Sequence, residues 1–373
     1  MPSTLILNPG SSSVKFRVYE NEDVVLDGVV DAIGTKSVVK TRESLKEIMN
    51  KKNEKIKSFN DAANTIYSLI HTLNINKVAY RVVSGGDKHQ IITKSSLQNL
   101  KKISKYDPQH MPQTIMLINF FMKHIKGKHI ACFDSAFHNT LPTVSKTYAI
   151  PTEISKKYNI YRKGFHGLSI ENMLEQTTAY FGKKFNNIIA VHLGNGISLT
   201  AIKDGKSIDT SMGFTPLEGV VMGHRSGSID QAIIFYLLDK GHSKQEVLNI
   251  LENKSGMKGI CGDSDIRPIM ERVKKGDKKA KLALDLFIHS FKKQLGAYIA
   301  ELNGVDVIVV GGGMINSIPL RKLLFLDLEM LGIVHDETKL IHNAPVCVSE
   351  GNIKVLLVNS DEQETMLKIS KVI

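Results

Sequence analysis

The stretch Thr4-Leu-Ile-Leu-Asn-Pro-Gly-Ser-Ser-Ser-Val-Lys-Phe-Arg-Val-Tyr19 reads as two short strands closed by a hydroxyl-rich bend. Thr4 to Asn8 is apolar, and Val14 to Tyr19 alternates as a half-buried strand does. The bend from Asn8 to Ser13 holds the Pro, Gly and Ser residues that turn a chain. The same design returns near the middle, with a strand at Asn187 to His192, a bend at Leu193 to Ser198 and a second strand at Leu199 to Lys203. Two copies of one hairpin predict an internal duplication, one hairpin per domain. Length agrees: 373 residues exceed the usual size of one hydrophobic core. A cleft between two domains is where a ligand is expected.

Outward from the hairpins, further apolar strands end in glycine bends or a carboxylate. Val78 to Val83 runs into Ser84-Gly-Gly86, Ile130 to Phe133 into Asp134, and Val305 to Val310 into Gly311-Gly-Gly313. Amphipathic helical spacing covers Asp61 to Leu73, Ile170 to Tyr180, Gln231 to Leu238 and Asp277 to Leu302. The fold class is therefore α/β. Lys40 to Phe59, lysine-rich and weakly periodic, reads as a solvated face or loop. Pro142 and Pro151 punctuate a boundary, giving expected domains 1–148 and 149–358, with 359–373 returning to the first.

Composition excludes several classes. Hydrophobic residues at 42% and charged residues at 23% describe a soluble globular chain rather than a disordered one. No apolar run is long enough to span a bilayer, and the N-terminus lacks signal-peptide features, so a cytoplasmic protein without a membrane partner is expected. Cys132, Cys261 and Cys347 stand far apart, which argues against a disulfide framework or a zinc site. The net charge of +12 is nearly all lysine, interleaved with Asp and Glu, and reads as a solvated basic surface rather than a nucleic-acid footprint. Of eight arginines, Arg81, Arg225 and Arg267 fall inside or beside Gly/Ser-rich or Asp-flanked segments, where a guanidinium can grip carboxylate or phosphoryl oxygens.

Glycine bends let backbone N–H groups converge on an anion, and serine hydroxyls add donors. Taken singly, each bend is more often a plain turn, and no Gly-x4-Gly-Lys-Ser/Thr sequence occurs, which excludes a P-loop. Asp134 stands at the tip of a buried strand, either serving a site or capping the next turn. His166, between Gly164 and Gly167, and Arg225, in Gly223-His-Arg-Ser-Gly227, are site candidates with equally plain structural readings. Together these residues supply what phosphoryl transfer needs: positive and hydrogen-bonding groups around the transferred group, and a metal held by carboxylate or amide.

In order along the chain stand Asn8-Pro-Gly-Ser-Ser-Ser-Val-Lys15, Arg81-Val-Val-Ser-Gly-Gly86, Phe133-Asp-Ser-Ala-Phe-His138, Gly164-Phe-His-Gly167, His192-Leu-Gly-Asn-Gly196, Asp209-Thr-Ser-Met-Gly-Phe-Thr-Pro-Leu-Glu-Gly219 and Gly223-His-Arg-Ser-Gly-Ser-Ile-Asp230. Nearly end to end, this series resembles the acetate kinase family, a branch of the actin-like sugar kinases and heat-shock ATPases. The resemblance implies a duplicated ribonuclease H-like (actin-like ATPase) fold: two β3αβαβα domains with a central cleft, usually as a homodimer. The implied reaction is reversible phosphoryl transfer between ATP and acetate, giving acetyl phosphate and ADP, with Mg2+ as cofactor and Mn2+ able to replace it.

Carried over by position, the resemblance implies that Asn8 and Glu362 hold the metal and that Asp134, His166, Arg225 and Arg81 are catalytic. Arg81, Val83, His110, Phe165 and Pro216 would meet the carboxylate substrate. Ser13, Lys15, His192, Gly194, Asn195, Gly196, Asp265, Ile266, Arg267, Gly311, Gly312, Gly313, Met314, Ile315 and Asn316 would meet the nucleotide. Tyr80 and Ser84 replace two family histidines, Gln109 stands at an apolar position of the acyl pocket, and Met314 and Ile315 alter the adenosine-side bend. Propionate or butyrate as the acid, pyrophosphate as the phosphoryl donor, and a non-catalytic nucleotide-binding protein are the alternative readings.

Overall fold

The structure, a computed structural model, describes residues 2–43, 46–52, 56–104 and 110–373, with only the backbone described for 43 and 46–52. Gln109 lies outside the described residues. The chain divides into two compact units, one of Met1–Ala136 with Asp361–Ile373, the other of Phe137–Ser360.

The first unit is built on β1 (Ser3–Pro9), β2 (Val14–Glu20), β3 (Asp23–Asp31), β4 (Val38–Glu43), β5 (Lys46–Lys52), β6 (Ile75–Val82), β7 (Gln90–Ile91) and β8 (Lys128–Phe133). Their order across the sheet is β5-β4-β3-β2-β1-β6-β8-β7. The opening stretch forms the expected hairpin, antiparallel from Ser3↔Glu20 to Pro9↔Val14, and the Gly10 amide donates to the Ser13 carbonyl across the bend at 2.8 Å. β6 and β8 then extend the sheet in parallel. Leu5, Leu7, Val14, Phe16, Val18, Val78, Tyr80 and Val82 fill one core face, and burying each such side chain contributes about 1.5–3 kcal/mol. The Lys40 to Phe59 reading is corrected in part: β4 and β5 pair there as an antiparallel hairpin. Charged residues scattered through Lys40 to Phe59 blur, in sequence, the alternation that marks a strand.

The second unit repeats the plan with β9 (Asn187–Leu193), β10 (Ile197–Lys203), β11 (Lys206–Thr210), β12 (Val307–Gly311), β13 (Val346–Cys347) and β14 (Lys354–Leu357), ordered β11-β10-β9-β12-β14-β13. Aligned on their hairpins, β3-β2-β1-β6-β8 and β11-β10-β9-β12-β14 are the same arrangement: three antiparallel strands, then two parallel ones. That is the duplicated ribonuclease H-like fold. Helix Gly167–Phe181 packs on β9 and β12, and the C-terminal helix Glu362–Val372 packs on β1 and β6 of the first unit. Among the described residues, no helix is long and apolar enough to cross a membrane.

Candidate active site

In both sheets, the chemistry-bearing side chains stand at the carboxyl ends of the parallel strands and in the bends beyond them, where open α/β sheets bind ligands. In the first unit Asn8 ends β1, Arg81 lies near the end of β6, and Asp134 follows β8, its amide donating to the Val82 carbonyl at 3.0 Å. Arg81 Nε and Nη2 both donate to Asp134 Oδ2, at 2.9 and 2.6 Å, and Nη1 donates to Asn8 Oδ1 at 3.3 Å. Asn8 Nδ2 donates to Glu362 Oε2 at 2.6 Å, and Arg81 Nη1 stands 3.6 Å from the same oxygen. Four residues spread from position 8 to position 362 thus form one polar cluster.

The C-terminal helix delivers Glu362. Asp361 caps it by accepting from the Gln363 and Glu364 amides, while its other oxygen takes Arg17 Nη1 at 2.6 Å. Lys77 Nζ ties the far end by donating to the Ser370 carbonyl at 2.7 Å. The Tyr80 departure falls on the opposite face of β6 from Arg81. Its ring is fully buried and its hydroxyl meets His129 Nδ1 at 2.7 Å, so the substitution is absorbed by the core. Val83 and Ser84 are buried just beyond.

Asp134 is completely buried, and among the described residues its Oδ1 has no hydrogen-bond partner. Burial pushes its carboxyl up to about 6; Arg81 acts against that, Glu362 adds to it, and His110 lowers it. A buried carboxylate oxygen without a partner is a costly arrangement, and it is common where a ligand completes the site. Among the described residues no group of three or more His, Cys, Asp or Glu could hold a metal. The Asn8, Asp134 and Glu362 oxygens are nonetheless hard donors in small number. That set fits Mg2+, which keeps several waters and takes one or two protein carboxylates plus phosphate. Lys15 faces Asn8 directly across the hairpin, with its side chain exposed. Ser13 is half-buried in the bend, and His110 precedes helix Met111–His124.

In the second unit His166 sits at the start of helix Gly167–Phe181 in left-handed backbone (φ 63°), a conformation that costs a non-glycine residue energy and is kept where the surroundings enforce it. Its Nδ1 meets Ser198 Oγ at 2.9 Å, and its ring stacks on His192, centroids 4.1 Å apart. His192 Nδ1 is held by Ser169 Oγ at 2.8 Å. A Cβ placed on Gly196 would lie 3.0 Å from His166 Nε2 and 3.2 Å from Arg225 Nη1, so imidazole and guanidinium converge on this bare backbone. Arg225 is buried, and Nη1 donates to the Pro216 carbonyl at 3.3 Å.

The Gly311–Asn316 bend packs on the hairpin bend: at Gly312 (φ 99°) a side chain would strike the Leu193 carbonyl, which only glycine avoids. Ile315 is buried, its carbonyl accepting from Arg321 Nε at 2.5 Å, while Met314 is half-buried and Asn316 exposed. Asp265 caps helix Ile266–Lys274 and pairs with Arg267 at 2.5 Å on the surface. Ile266 is buried.

Ser198, Ser169 and His138 hold candidate residues or their segment in place and were not singled out from the sequence, though His138 closes a quoted motif. His138 is fully buried. Its Nε2–H donates to the Phe165 carbonyl at 2.9 Å and its Nδ1 meets Ser207 Oγ at 2.9 Å, fixing the segment that carries His166. Burial lowers its pKa to about 4. A histidine that stays neutral when folded but charges in the unfolded chain gives stability fully present above the unfolded value near 6.5, lost as pH falls toward 4. The loss is about 3 kcal/mol for this one group. Burial lowers His89 and His129 as well. Urea unfolding between pH 7 and 4 is expected to show this decline, and His138→Gln to flatten it; an unchanged slope would assign it elsewhere.

Comparison with known proteins agrees with this geometry. The chain matches the acetokinase family over residues 3–368. It is 38% identical to acetate kinase 2 of Clostridium perfringens over 397 aligned positions, covering 99% of this chain and 100% of that one. Among solved structures it is similar to a propionate kinase from Francisella tularensis (TM-score 0.93, 35% identity, 100% of each chain). It is also similar to the acetate kinase of Porphyromonas gingivalis (TM-score 0.88, 30% identity, 100% of this chain and 99% of that one). A duplicated sheet, two polar clusters at its strand ends and similarity over the full length lead to one conclusion: the chain belongs to the acetokinase family.

Proposed function

We propose that this protein is an acetate kinase, catalysing reversible phosphoryl transfer between ATP and acetate to give acetyl phosphate and ADP in the cytoplasm, with the two units as its domains. The observation that carries the reading is the Asn8–Arg81–Asp134–Glu362 cluster, intact in a chain 38% identical to an acetate kinase over 99% of its length. In this reading Arg81 holds the acetate carboxylate, with Val83, His110, Phe165 and Pro216 around its methyl side. Arg225 and His166 meet the equatorial oxygens of the transferring phosphoryl group, where charge spreads in the transition state.

Asn8 and Glu362 would hold Mg2+, which would supply positive charge to offset that of the phosphates. Ser13, Lys15, the His192–Gly196 bend, Asp265–Arg267 and the Gly311–Asn316 bend take the nucleotide. Burial of Ile315 and half-burial of Met314 support ATP as the donor, because all of the one side chain and part of the other add bulk to the core rather than to the open side of the bend. We also read the protein as a homodimer. Helix Ala232–Asp239 buries none of its residues, leaving Ile233, Phe235 and Tyr236 exposed, and a solution mass near twice 41.4 kDa would check it.

Trapping the acyl phosphate as hydroxamate tests the activity. With Mg2+ and ATP, kcat/KM is expected to be highest for acetate, falling about 10- to 200-fold for each unfavourable methylene change. Pyrophosphate is expected to give no product. Propionate outrunning acetate would overturn the acid assignment, and no turnover with any acid would overturn the enzyme reading.

A further inference from the structure

The Arg225 guanidinium is held by a carbonyl in a loop, and that loop is itself held by groups the catalytic reading does not use. Arg225 Nη1 donates to the Pro216 carbonyl at 3.3 Å. Two residues earlier, the Phe214 amide donates to the Tyr148 hydroxyl at 2.7 Å, and that hydroxyl donates to Glu218 Oε2 at 2.5 Å. Glu218 Oε1 accepts from Arg162 Nη2 at 2.8 Å. Arg162 also donates from Nη1 to the Thr210 carbonyl at 2.9 Å and from Nε to the Ser145 carbonyl at 3.2 Å, and Asp209 stands 3.8 Å away.

The same chain of bonds reaches His166 from the other side. Arg162 is four residues before it, and the Lys163 and Gly164 amides donate to the Gly213 carbonyl at 3.0 and 3.4 Å. At Gly213 a side chain would overlap both the Glu218 carboxylate and the Tyr148 hydroxyl, so glycine is what lets the three groups close around the backbone. Burial raises the Tyr148 pKa, with Glu218 adding to the effect, so the phenol keeps the proton that it donates.

We propose that Tyr148, Glu218 and Arg162 form a brace that sets the Arg225 guanidinium against His166, making all three positioning residues for phosphoryl transfer. The inference rests on the reading of Arg225 given above. A displacement of about 1 Å at a group that must meet the transferring oxygens is enough to lose a large part of the rate while leaving binding of the remote nucleotide intact. The brace therefore acts on kcat through Arg225, and its effect vanishes when Arg225 is absent. A contact that only holds the fold together would cost the same with or without that side chain.

The experiment is a kinetic double-mutant cycle by hydroxamate trapping, with acetate, ATP and Mg2+. Tyr148→Phe is expected to lower kcat about tenfold with the ATP KM within twofold, and to lower it less than twofold in an Arg225→Ala background. Glu218→Gln keeps an acceptor for Arg162 and turns an amide toward the Tyr148 oxygen; it is expected to retain more than half of kcat, whereas Glu218→Ala loses as much as Tyr148→Phe. Equal losses from Tyr148→Phe in both backgrounds, with the wild type active, would overturn the brace alone. Should Tyr148→Phe not fold, equal kcat in Glu218→Gln and Glu218→Ala would overturn it as well. A wild type that forms no hydroxamate overturns the activity reading and this inference together.

Discussion

Asp134→Asn is expected to lower turnover about a thousandfold or more while leaving nucleotide affinity within a few fold. Asp134 is wholly buried and its Oδ2 accepts two bonds from Arg81, while Arg81 also reaches Asn8 and stands 3.6 Å from Glu362. Removing one charge of such a pair takes from the cation its closest counter-charge, and breaking a buried pair in this way costs about 3–5 kcal/mol. The guanidinium then has Glu362 as its nearest remaining carboxylate, and a shift in that direction draws it from the position assigned to the acetate carboxylate. A loss of about 4 kcal/mol of transition-state stabilisation corresponds to the thousandfold figure. Steady-state kinetics and nucleotide titration on one preparation separate the outcomes: equal loss of rate and nucleotide affinity would make Asp134 a structural residue.

The hairpins and strand-to-glycine bends were legible in the sequence because their signals are local. Alternation over Val14 to Tyr19 and turn chemistry over Asn8 to Ser13 need only neighbours, and the second copy at Asn187 to Lys203 carries the same marks. Asp134 and Arg81 could each be suspected alone, but their bond depends on the parallel register of β6 with β8, where Arg81 pairs with Cys132. No local pattern encodes that register. Face was equally hidden: Tyr80 turns into the core beside His129, and Ile315 is buried, so neither departure from the family pattern adds bulk where the motifs alone would put it. β4 escaped because its buried positions, Val39 and Thr41, include a single apolar residue, too little alternation to mark a strand in sequence. The brace of Tyr148, Glu218 and Arg162 joins three segments through a phenol, a carboxylate and a guanidinium, and only Glu218 lay inside a quoted block.

Arg225→Ala should cost about a thousandfold in kcat, with the ATP KM changed only a few fold. Its Nη1 and His166 Nε2 flank the same point above Gly196, at 3.2 and 3.0 Å from where a Cβ would stand. Cation and imidazole thus bracket one small volume bounded by bare backbone. In phosphoryl transfer an arginine that meets the equatorial oxygens supplies about 10³–10⁵ in kcat, because it stabilises charge that is more dispersed in the transition state than in bound ATP. Interactions that strengthen only in the transition state move kcat and leave ground-state affinity nearly alone. Arg225→Lys keeps the charge but loses the planar fork that bonds both a carbonyl and a phosphoryl oxygen, so it should recover only part of the rate. His166→Ala should cost less, since it removes an imidazole held by Ser198 rather than the permanent charge of a guanidinium. A rise in ATP KM matching the fall in kcat/KM, with kcat unchanged, would show that Arg225 binds ground-state nucleotide and would remove it from the catalytic step.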